Sequence, residues 1–232
     1  MIKYILRLTG EKVKENKEKG MRLRHIPGAE EEIEESIWVY HSPDEVKNSI
    51  GSPLYIEIGM GKGRFILENA LLHPEINYIG IEMYESVMIK ATRRLDRMPE
   101  RERPGNLRFI RMDAADINEY FPNESIDRIY LNFSDPWPKT RHAHRRLPSA
   151  MFLKRFYKVL KEDGEIEFKT DNTGLFDFAM KEYDKAGFSL KYSTYDLHND
   201  PEEMKNNVMT EYEKKFSAKG NRICKYVIKK IK

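Results

Sequence analysis

The sequence contains a single cysteine, Cys224, in 232 residues. One cysteine excludes an internal disulfide and suits a reducing compartment, and its apolar neighbours indicate a small buried residue in a strand. No apolar run is long enough to span a membrane. The apolar start, residues 1–8, is interrupted by Lys3 and Arg7 and lacks the small-residue cleavage site of a signal peptide. Together these absences predict a soluble cytoplasmic protein.

A large net charge is also absent. The formal net charge is +3, and residues 1–20 contribute six cations and three acids, which leaves 35 of each sign in the rest of the chain. Any surface for nucleic acid must therefore be local rather than global. Residues 1–20 have no convincing apolar period, so we expect a poorly ordered or dispensable extension before one domain at residues 21–232. Met21 is a candidate natural start.

Strand and helix signals alternate from residue 54 onward. Strands are predicted at residues 54–58, 78–81, 107–110, 126–133, 166–169, 188–195 and 222–231. Helices are predicted at residues 64–72, 84–97, 149–160 and 174–186. Strands separated by helices imply a mostly parallel sheet with helices on both faces, and the last two strands could close it as a hairpin. The acidic run at residues 30–35 is interpreted as a solvated surface.

A glycine-rich loop, Glu57-Ile58-Gly59-Met60-Gly61-Lys62-Gly63, follows the first of these strands. Glycines let the backbone turn tightly and approach a ligand closely, and ligands of open parallel sheets lie beyond the carboxyl ends of the strands. A dinucleotide fingerprint needs glycine at the sixth position, where this sequence has Arg64. Glu57 would also repel phosphates. The loop therefore predicts a cationic ligand without pyrophosphate, such as one that carries ammonium and sulfonium groups.

Two further acids lie at strand ends. Glu82 ends the second strand and could accept both hydroxyl groups of a ribose, and Asp113 follows the third strand and could receive an adenine amine. A single acid at such a place is more often a cap, and a NAD site would use the same ribose-binding acid. With Glu57, however, the acids are in register at the ends of successive strands. The three together predict an adenosine site.

The most specific segment is Asn132-Phe133-Ser134-Asp135-Pro136-Trp137-Pro138-Lys139, which follows the fourth strand. Its two prolines stiffen the loop and remove two backbone donors. Trp137 between them can pack against a base or shape a pocket. Asp135 is placed to act on the reacting group. A proline-rich structural turn does not easily explain an acid, a tryptophan and a lysine together.

Residues 139–146 hold four permanent cations, two histidines and no acid. This is a local basic surface, and we expect its cations to contact phosphates. The cations are Lys139, Arg141, Arg145 and Arg146. The two histidines lack a nearby carboxylate or cysteine partner, so no metal site is predicted.

Taken together, these motifs resemble those of the bacterial tRNA (guanine-N(7)-)-methyltransferase family. The resemblance runs from about Met21 to the C-terminus, and its signature is residues 134–139, Arg141-His142, Arg145-Arg146, the glycine loop and Thr210-x-Tyr212-Glu213. It implies the class I methyltransferase fold, a Rossmann-like α/β sheet of seven mostly parallel strands with the last strand antiparallel. It also implies S-adenosylmethionine as cofactor and tRNA as partner, with methylation of a guanine N-7 atom in the variable loop.

The resemblance further implies roles for individual residues. Four carboxylates surround the cofactor beside Gly59, Gly61 and Gly63; they are Glu57, Glu82, Asp113 and Asp135. Contacts to tRNA or to the guanine are implied for Lys139, Asp171, Thr210, Glu211, Tyr212 and Glu213. Methylation leaves the base positively charged, and a nearby carboxylate would stabilise that charge, so Asp135 is also the catalytic candidate. Because N-7 is hard to reach in A-form RNA, the target should lie in a loop or be everted.

Three other functions remain as alternatives. A methyltransferase for an exocyclic amine usually has two adjacent prolines before its aromatic residue, whereas Trp137 separates the prolines here. A non-catalytic RNA-binding module would not need intact acids at Glu57, Glu82 and Asp135. A nicotinamide oxidoreductase is disfavoured by Arg64. The sequence leaves open whether the protein is a monomer or a homodimer.

Overall fold

The computed structural model describes residues 26–49, 51 and 53–231, so the predictions for residues 1–20 lie outside the described residues. The strands are β1 Val39–Tyr40, β2 Leu54–Ile58, β3 Asn77–Glu82, β4 Leu107–Arg111, β5 Ile126–Asn132, β6 Leu160–Thr170, β7 Phe188–Thr194 and β8 Cys224–Lys230. The helices are α1 Ala29–Glu34, α2 Pro43–Ser49, α3 Arg64–Leu72, α4 Glu85–Asp96, α5 Ile117–Tyr120, α6 Ala150–Val159, α7 Thr173–Ala179, α8 Pro201–Met204 and α9 Glu211–Ser217. None of the helices in the described ranges is long and apolar enough to cross a membrane.

The strands form one sheet in the order β1-β4-β3-β2-β5-β6-β8-β7. All neighbours are parallel except β8, which is antiparallel to both β6 and β7, as the sequence predicted for the last strand. The order reverses between β2 and β5, and such a switch point leaves a crevice beyond the carboxyl ends of the two strands. The glycine loop and the Asn132 to Lys139 segment both emerge there.

The sheet has one strand more than the seven that were predicted. The additional strand β1 contains two residues and pairs in parallel with β4, through Val39 opposite Phe109 and Tyr40 opposite Ile110. Two residues are too few to show the alternation of apolar and polar side chains that signals a strand. Edge pairing with a distant strand therefore decides its conformation.

Apolar side chains cover both faces of the sheet, which confirms the predicted helices on either side. In β3, Ile79 and Ile81 join the core under α5, α6 and α7, whereas Tyr78 points into the core under α1, α3 and α4. Cys224 is buried in β8, as the sequence indicated. The packing of the two layers fixes the loops at the strand ends.

One helix is shorter than predicted, and the acidic run makes a contact that the sequence did not predict. The helix expected over residues 174–186 ends at Ala179, because the chain tightens into short turns and enters β7 through Gly187, which has a φ of 87°. The acidic run is largely exposed, as predicted, and forms α1; within it Glu32 is half-buried and accepts bonds of 2.7 and 2.6 Å from Arg93 on α4. An ion pair with a distant helix gives no local sequence pattern.

We expect Tyr226→Phe to raise the free energy of unfolding by about 1 kcal/mol, since a buried hydroxyl without a partner costs about 1–3 kcal/mol. Tyr226 is fully buried in β8 among aromatic rings, and its hydroxyl has no hydrogen-bond partner in the described residues. Chemical denaturation would measure the change. The matched control is Tyr192→Phe, which should be destabilised because the Tyr192 hydroxyl donates to Asp200 at 2.6 Å. If Tyr226→Phe had a lower free energy of unfolding than the wild type, the Tyr226 hydroxyl would not be a buried group without a partner.

Candidate functional site

A cavity of about 910 Å³ opens at the carboxyl ends of β2, β3, β4 and β5. The glycine loop after β2 forms one side, and the loop after β5 forms the opposite side. Residues 112–115, α6 and the start of α9 complete the wall. A ligand in this cavity would therefore touch the motifs that follow four strand ends.

The glycine loop turns back on the end of β3. The amides of Gly59 and Met60 donate to the Ile81 carbonyl at 2.9 and 3.0 Å, and the Gly61 amide donates to Glu82 Oε2 at 3.1 Å. Gly59 and Gly61 have φ values of 76° and 59°, and a Cβ atom on either would meet nothing within 4 Å. Glycine is needed there for its backbone conformation and leaves the backbone open to a ligand.

Gly63 differs from the other two loop glycines. Its φ is 67°, and an added Cβ would lie 3.0 Å from the Cβ of Ala91 on α4. It does not line the cavity. The structure therefore places Gly63, which was predicted to bind cofactor, at the contact between the loop and α4.

Glu82 and Asp113 both line the cavity and both cap the backbone. Glu82 Oε1 accepts from the amides of Met83 and Tyr84 at 2.9 and 3.1 Å. Asp113 Oδ1 accepts from the Ala115 amide at 2.8 Å. Each acid therefore caps backbone amides, as acids at strand ends often do. These bonds fix the orientation of each carboxylate at the cavity wall.

Glu57 lies at the end of β2 and is only 2% exposed. Its Oε1 accepts from Asn132 Nδ2 at 2.9 Å, while its Oε2 is buried without a partner among the described residues. Burial raises the pKa of Glu57 to about 8, against the opposing effects of the Asn132 hydrogen bond and the Lys169 charge. Asn132 Oδ1 and Ser134 Oγ are likewise buried without partners.

These three acceptor atoms belong to residues that line the same cavity. Buried polar atoms without hydrogen bonds are uncommon and costly in folded proteins. A ligand with a charged donor group, such as an ammonium, would supply the missing partners. The cluster of Glu57, Asn132 and Ser134 therefore fits a ligand that is cationic on this side.

The loop after β5 has an unusual backbone. Phe133 and Trp137 have φ values of 50° and 40°, which bulky residues rarely adopt. The Phe133 amide donates to the Lys169 carbonyl at 2.8 Å, and the Trp137 carbonyl accepts from Arg146. Asp135 lies between these two anchored residues, half-buried at the cavity wall. The strained backbone is held from both ends.

The basic run folds as a short 3₁₀ helix, Thr140–Arg145, at the rim of the cavity. Lys139, Arg141 and Arg145 are exposed, and the Arg145 guanidinium lies 5.0 Å from the centre of the Trp137 ring. Arg146 is half-buried and packs 4.4 Å from the centre of the Phe178 ring. The structure thus places three of the four predicted phosphate-binding cations at the surface.

Helix α9, a part of the chain that the sequence did not predict to be helical, supplies one wall. Thr210 caps it by accepting from the Glu213 amide at 2.9 Å. Glu211 accepts from Arg94 at 3.1 Å and from Lys62 of the glycine loop at 3.3 Å. Tyr212 is 52% exposed and stacks on Phe133 with ring centres 6.3 Å apart. Thr210, Glu211 and Tyr212 all line the cavity.

Glu213 and Asp171 do not line the cavity. Glu213 is fully buried, and its carboxylate is bonded by Lys169 at 2.9 Å, by His198 at 3.0 Å and by Asn207 at 2.6 Å. Although burial raises the pKa of Glu213, the charge and hydrogen bond of Lys169 hold it below its ordinary value. The structure therefore places Glu213 inside the protein, and direct contact with a base would displace these partners.

Several lining residues were missed or given no role. Asn132 begins the segment that follows the fourth strand, and its position at the strand end could have identified it as a neighbour of Glu57. Met151, Phe152 and Arg155 line the cavity from α6. No local signal marks them, because the packing angle of a helix decides which of its residues face a cavity. Within the described ranges, no group of three or more potential ligands could hold a metal ion.

Comparison with known proteins gives relatives over most of the chain. Residues 51–226 match a protein family described as "Putative methyltransferase". A tRNA (guanine-N(7)-)-methyltransferase of Lachnoclostridium phytofermentans is 47% identical over 213 residues, which are 89% of this chain and 97% of that protein. One of Lysinibacillus sphaericus is 48% identical over 211 residues, 88% of this chain and 95% of that protein.

Solved structures resemble the chain in fold. An antibiotic-related methyltransferase is 19% identical with a TM-score of 0.61, covering 83% of this chain and 96% of its own. A 16S rRNA (adenine(1408)-N(1))-methyltransferase from Catenulisporales acidiphilia is 14% identical with a TM-score of 0.60, covering 83% and 95%. At this level of identity the likeness concerns the fold, which is that of class I methyltransferases.

Proposed function

The chain belongs to the tRNA (guanine-N(7)-)-methyltransferase family, and from this premise we propose that it methylates a guanine in the variable loop of tRNA with S-adenosylmethionine as donor. The observation that carries the proposal is the shared cavity of Glu57, Asn132, Ser134 and Asp135. It offers unpaired acceptors for a cationic amino-acid group beside an acid that could face a reacting base. The position in the variable loop rests on the family resemblance.

The cofactor would lie across the strand ends. The glycine loop offers open backbone at Gly59 and Gly61, and Glu57 would bind the ammonium group. Glu82 would accept the ribose hydroxyls and Asp113 the adenine amine, both from the cavity wall. When bound, the cofactor would supply an electrophilic methyl group: its carbon–sulfur bond would break as the methyl carbon bonds to the guanine N-7 lone pair, and the positive charge would move to the base.

The protein's part in the reaction is to position the base and to stabilise its new charge. N-7 of neutral guanine already carries a lone pair, so no general base is required and orientation supplies much of the rate. Asp135 would stabilise the positive charge that develops on the base. Tyr212 and Trp137 provide aromatic surface at the mouth of the cavity for an everted guanine.

The tRNA would be held by the rim. Lys139, Arg141 and Arg145 are exposed beside the cavity and fit phosphate contact. Arg94 and Lys62 are paired with Glu211, and Arg93 is paired with Glu32. Pairing with an acid lowers what a cation adds to the attraction of a polyanion, so these three residues are weaker candidates for phosphate contact.

The direct experiment is methyl transfer from labelled S-adenosylmethionine to unmodified tRNA, with the product nucleoside identified by mass spectrometry. 7-Methylguanosine that maps to the variable loop would support the whole proposal. Methylation of an exocyclic amine would show that the target atom is wrong. Tight cofactor binding without label in any tRNA would instead indicate a different RNA substrate or a binding module.

We expect the affinity for S-adenosylhomocysteine to rise with pH up to about 8, because burial raises the pKa of Glu57 to about 8. Below that pH the carboxyl group must lose a proton before it can bind an ammonium group, so affinity should fall by up to about tenfold per pH unit. Titration calorimetry in two buffers of different ionisation enthalpy would count the proton released at pH 6.5.

Glu57→Gln is the matched control, since glutamine has the same shape and does not titrate. The variant should bind more weakly at pH 8 and should lose the proton release of Glu57, whereas the ligand's own amine titrates in both proteins. The free energy of unfolding of the ligand-free wild type should also fall as the pH rises from about 4.5 to 8. Over this range the unfolded state loses the Glu57 proton, whereas the folded state retains it. Equal proton release by both proteins would refute the contact.

A further inference from the structure

We propose that Arg146 is a positioning residue that holds the Trp137 backbone, and thereby Asp135, rather than a contact to tRNA phosphate. The inference rests on the proposed function for its catalytic consequence, although the contacts themselves do not. Arg146 Nε and Nη2 both donate to the Trp137 carbonyl, at 3.3 and 2.9 Å. Arg141 of the same run is exposed, and its Nε donates to the neighbouring His142 at 3.3 Å.

The loop around Trp137 needs an anchor of this kind. Pro136 and Pro138 flank Trp137 and have no amide hydrogen, so this stretch can be fixed chiefly through its carbonyl groups. Trp137 also has a φ of 40°, and such a backbone persists only where surrounding contacts hold it. The forked bond from Arg146 supplies such a contact directly at Trp137.

A face of the guanidinium is engaged as well. It lies 4.4 Å from the centre of the Phe178 ring on α7, and the backbone of Arg146 enters the turn that Ser149 caps at the start of α6. Arg146 therefore links the strained loop to α7 through its side chain and to the start of α6 through its backbone. A planar, stacked guanidinium is suited to this place, and a lysine ammonium group could replace only its charge.

The same link reaches the reaction centre through Trp137. Asp135 is two residues away along a loop that the prolines stiffen. A shift of about 1 Å in a reacting geometry can cost about 100-fold in rate. Loss of the Arg146 bond should therefore lower the rate constant, while tRNA affinity should remain that of the wild type.

The test compares Arg146→Lys with Arg141→Gln. Arg146→Lys should lower kcat by about 10- to 100-fold and leave the tRNA dissociation constant and its salt dependence within error of the wild type. Arg141→Gln should weaken tRNA binding and lower the slope of log affinity against log salt by about 0.7–0.9. Arg101→Gln, at a remote exposed turn, serves as the surface control.

A local readout makes the test independent of activity. The chain has two tryptophans, so Trp38→Phe leaves Trp137 as the sole indole. In that background Arg146→Lys should shift the Trp137 emission to longer wavelength. It should also add a fast component to the decay of Trp137 fluorescence anisotropy. If Arg146→Lys folds poorly, Phe178→Leu removes only the stacking partner and should lower kcat in the same direction.

Because lysine keeps the charge, Arg146→Gln is compared with Arg141→Gln for the salt dependence. A lower salt slope in Arg146→Gln, together with unchanged kcat and unchanged Trp137 emission in Arg146→Lys, would overturn the proposal and assign Arg146 to phosphate. Unchanged values in all three measurements would overturn it as well. If the wild type fails to methylate tRNA, the proposed function fails. The emission measurement would then still decide whether Arg146 holds the Trp137 loop.

Discussion

Asp135→Ala should lower the rate of methyl transfer to tRNA by about 10²- to 10³-fold, the usual effect of removing one preorganised electrostatic group. Its affinity for S-adenosylhomocysteine should change by less than about threefold, because the groups assigned to that ligand lie mainly on the other strand ends. Asp135 is half-buried on the cavity wall in a loop whose backbone is held at Phe133 and Trp137. Single-turnover methylation and calorimetry would measure the two effects.

The charge of Asp135 is the property to be tested. Asp135→Asn preserves the size of the side chain and one carbonyl acceptor, so it should lose most of the rate if charge on the methylated base matters. Asp113→Ala is the matched control, since Asp113 also lines the cavity. Asp113→Ala should bind S-adenosylhomocysteine more weakly. Its rate of methyl transfer at saturating cofactor should equal that of the wild type. Equal losses of rate and analogue affinity in Asp135→Ala would argue against a catalytic role.

Lys169→Met should lower the free energy of unfolding by about 3–5 kcal/mol, the range for removing one partner of a buried ion pair. Lys169 and Glu213 are both fully buried, and Lys169 Nζ also donates to Asn207 Oδ1 and to the Val208 carbonyl. The variant leaves the Glu213 charge uncompensated in the interior. Denaturant unfolding would measure the loss, and the walls of the cavity formed by α9 should loosen with it.

Two further variants locate the effect in the pair. Lys169→Met with Glu213→Gln should be less destabilised than the sum of the single changes by more than about 1 kcal/mol, a coupling typical of contacting residues. Lys205→Met removes an exposed pair with Glu202, whose side chain is 80% exposed, and should change stability by less than about 1 kcal/mol. Strict additivity of the two buried changes would contradict a coupled pair.

The sequence was most informative where chemistry is local. Strand β2 and the glycine loop were predicted at their observed positions, because an apolar strand followed by glycines is a pattern of neighbouring residues. The acids at Glu57, Glu82 and Asp113 were expected together because strand order brings carboxyl ends to one edge. Because parallel strands end at the same edge of the sheet, residues that are far apart in the sequence line one cavity.

Distant pairings were not predictable in the same way. The Lys169 to Glu213 pair joins residues 44 apart in the chain, and the ion pair between Arg94 and Glu211 joins residues 117 apart. Arg141 and Arg146 belong to the same basic run, yet Arg146 is half-buried and Arg141 is exposed. Side-chain direction at such positions depends on packing that no local pattern encodes.

Helix α9 has a consequence for the order of events in a catalytic cycle. Glu211 ties it to the glycine loop, and Glu213 ties it to the end of β6, while Tyr212 faces the cavity between them. Under the proposed function, this one seven-residue helix would belong to the environment of both ligands. Where two binding events share a movable element, each changes the free energy of the other by the same amount. Cofactor and nucleic acid would then be thermodynamically linked, and replacing spent cofactor would alter how firmly the methylated tRNA is retained.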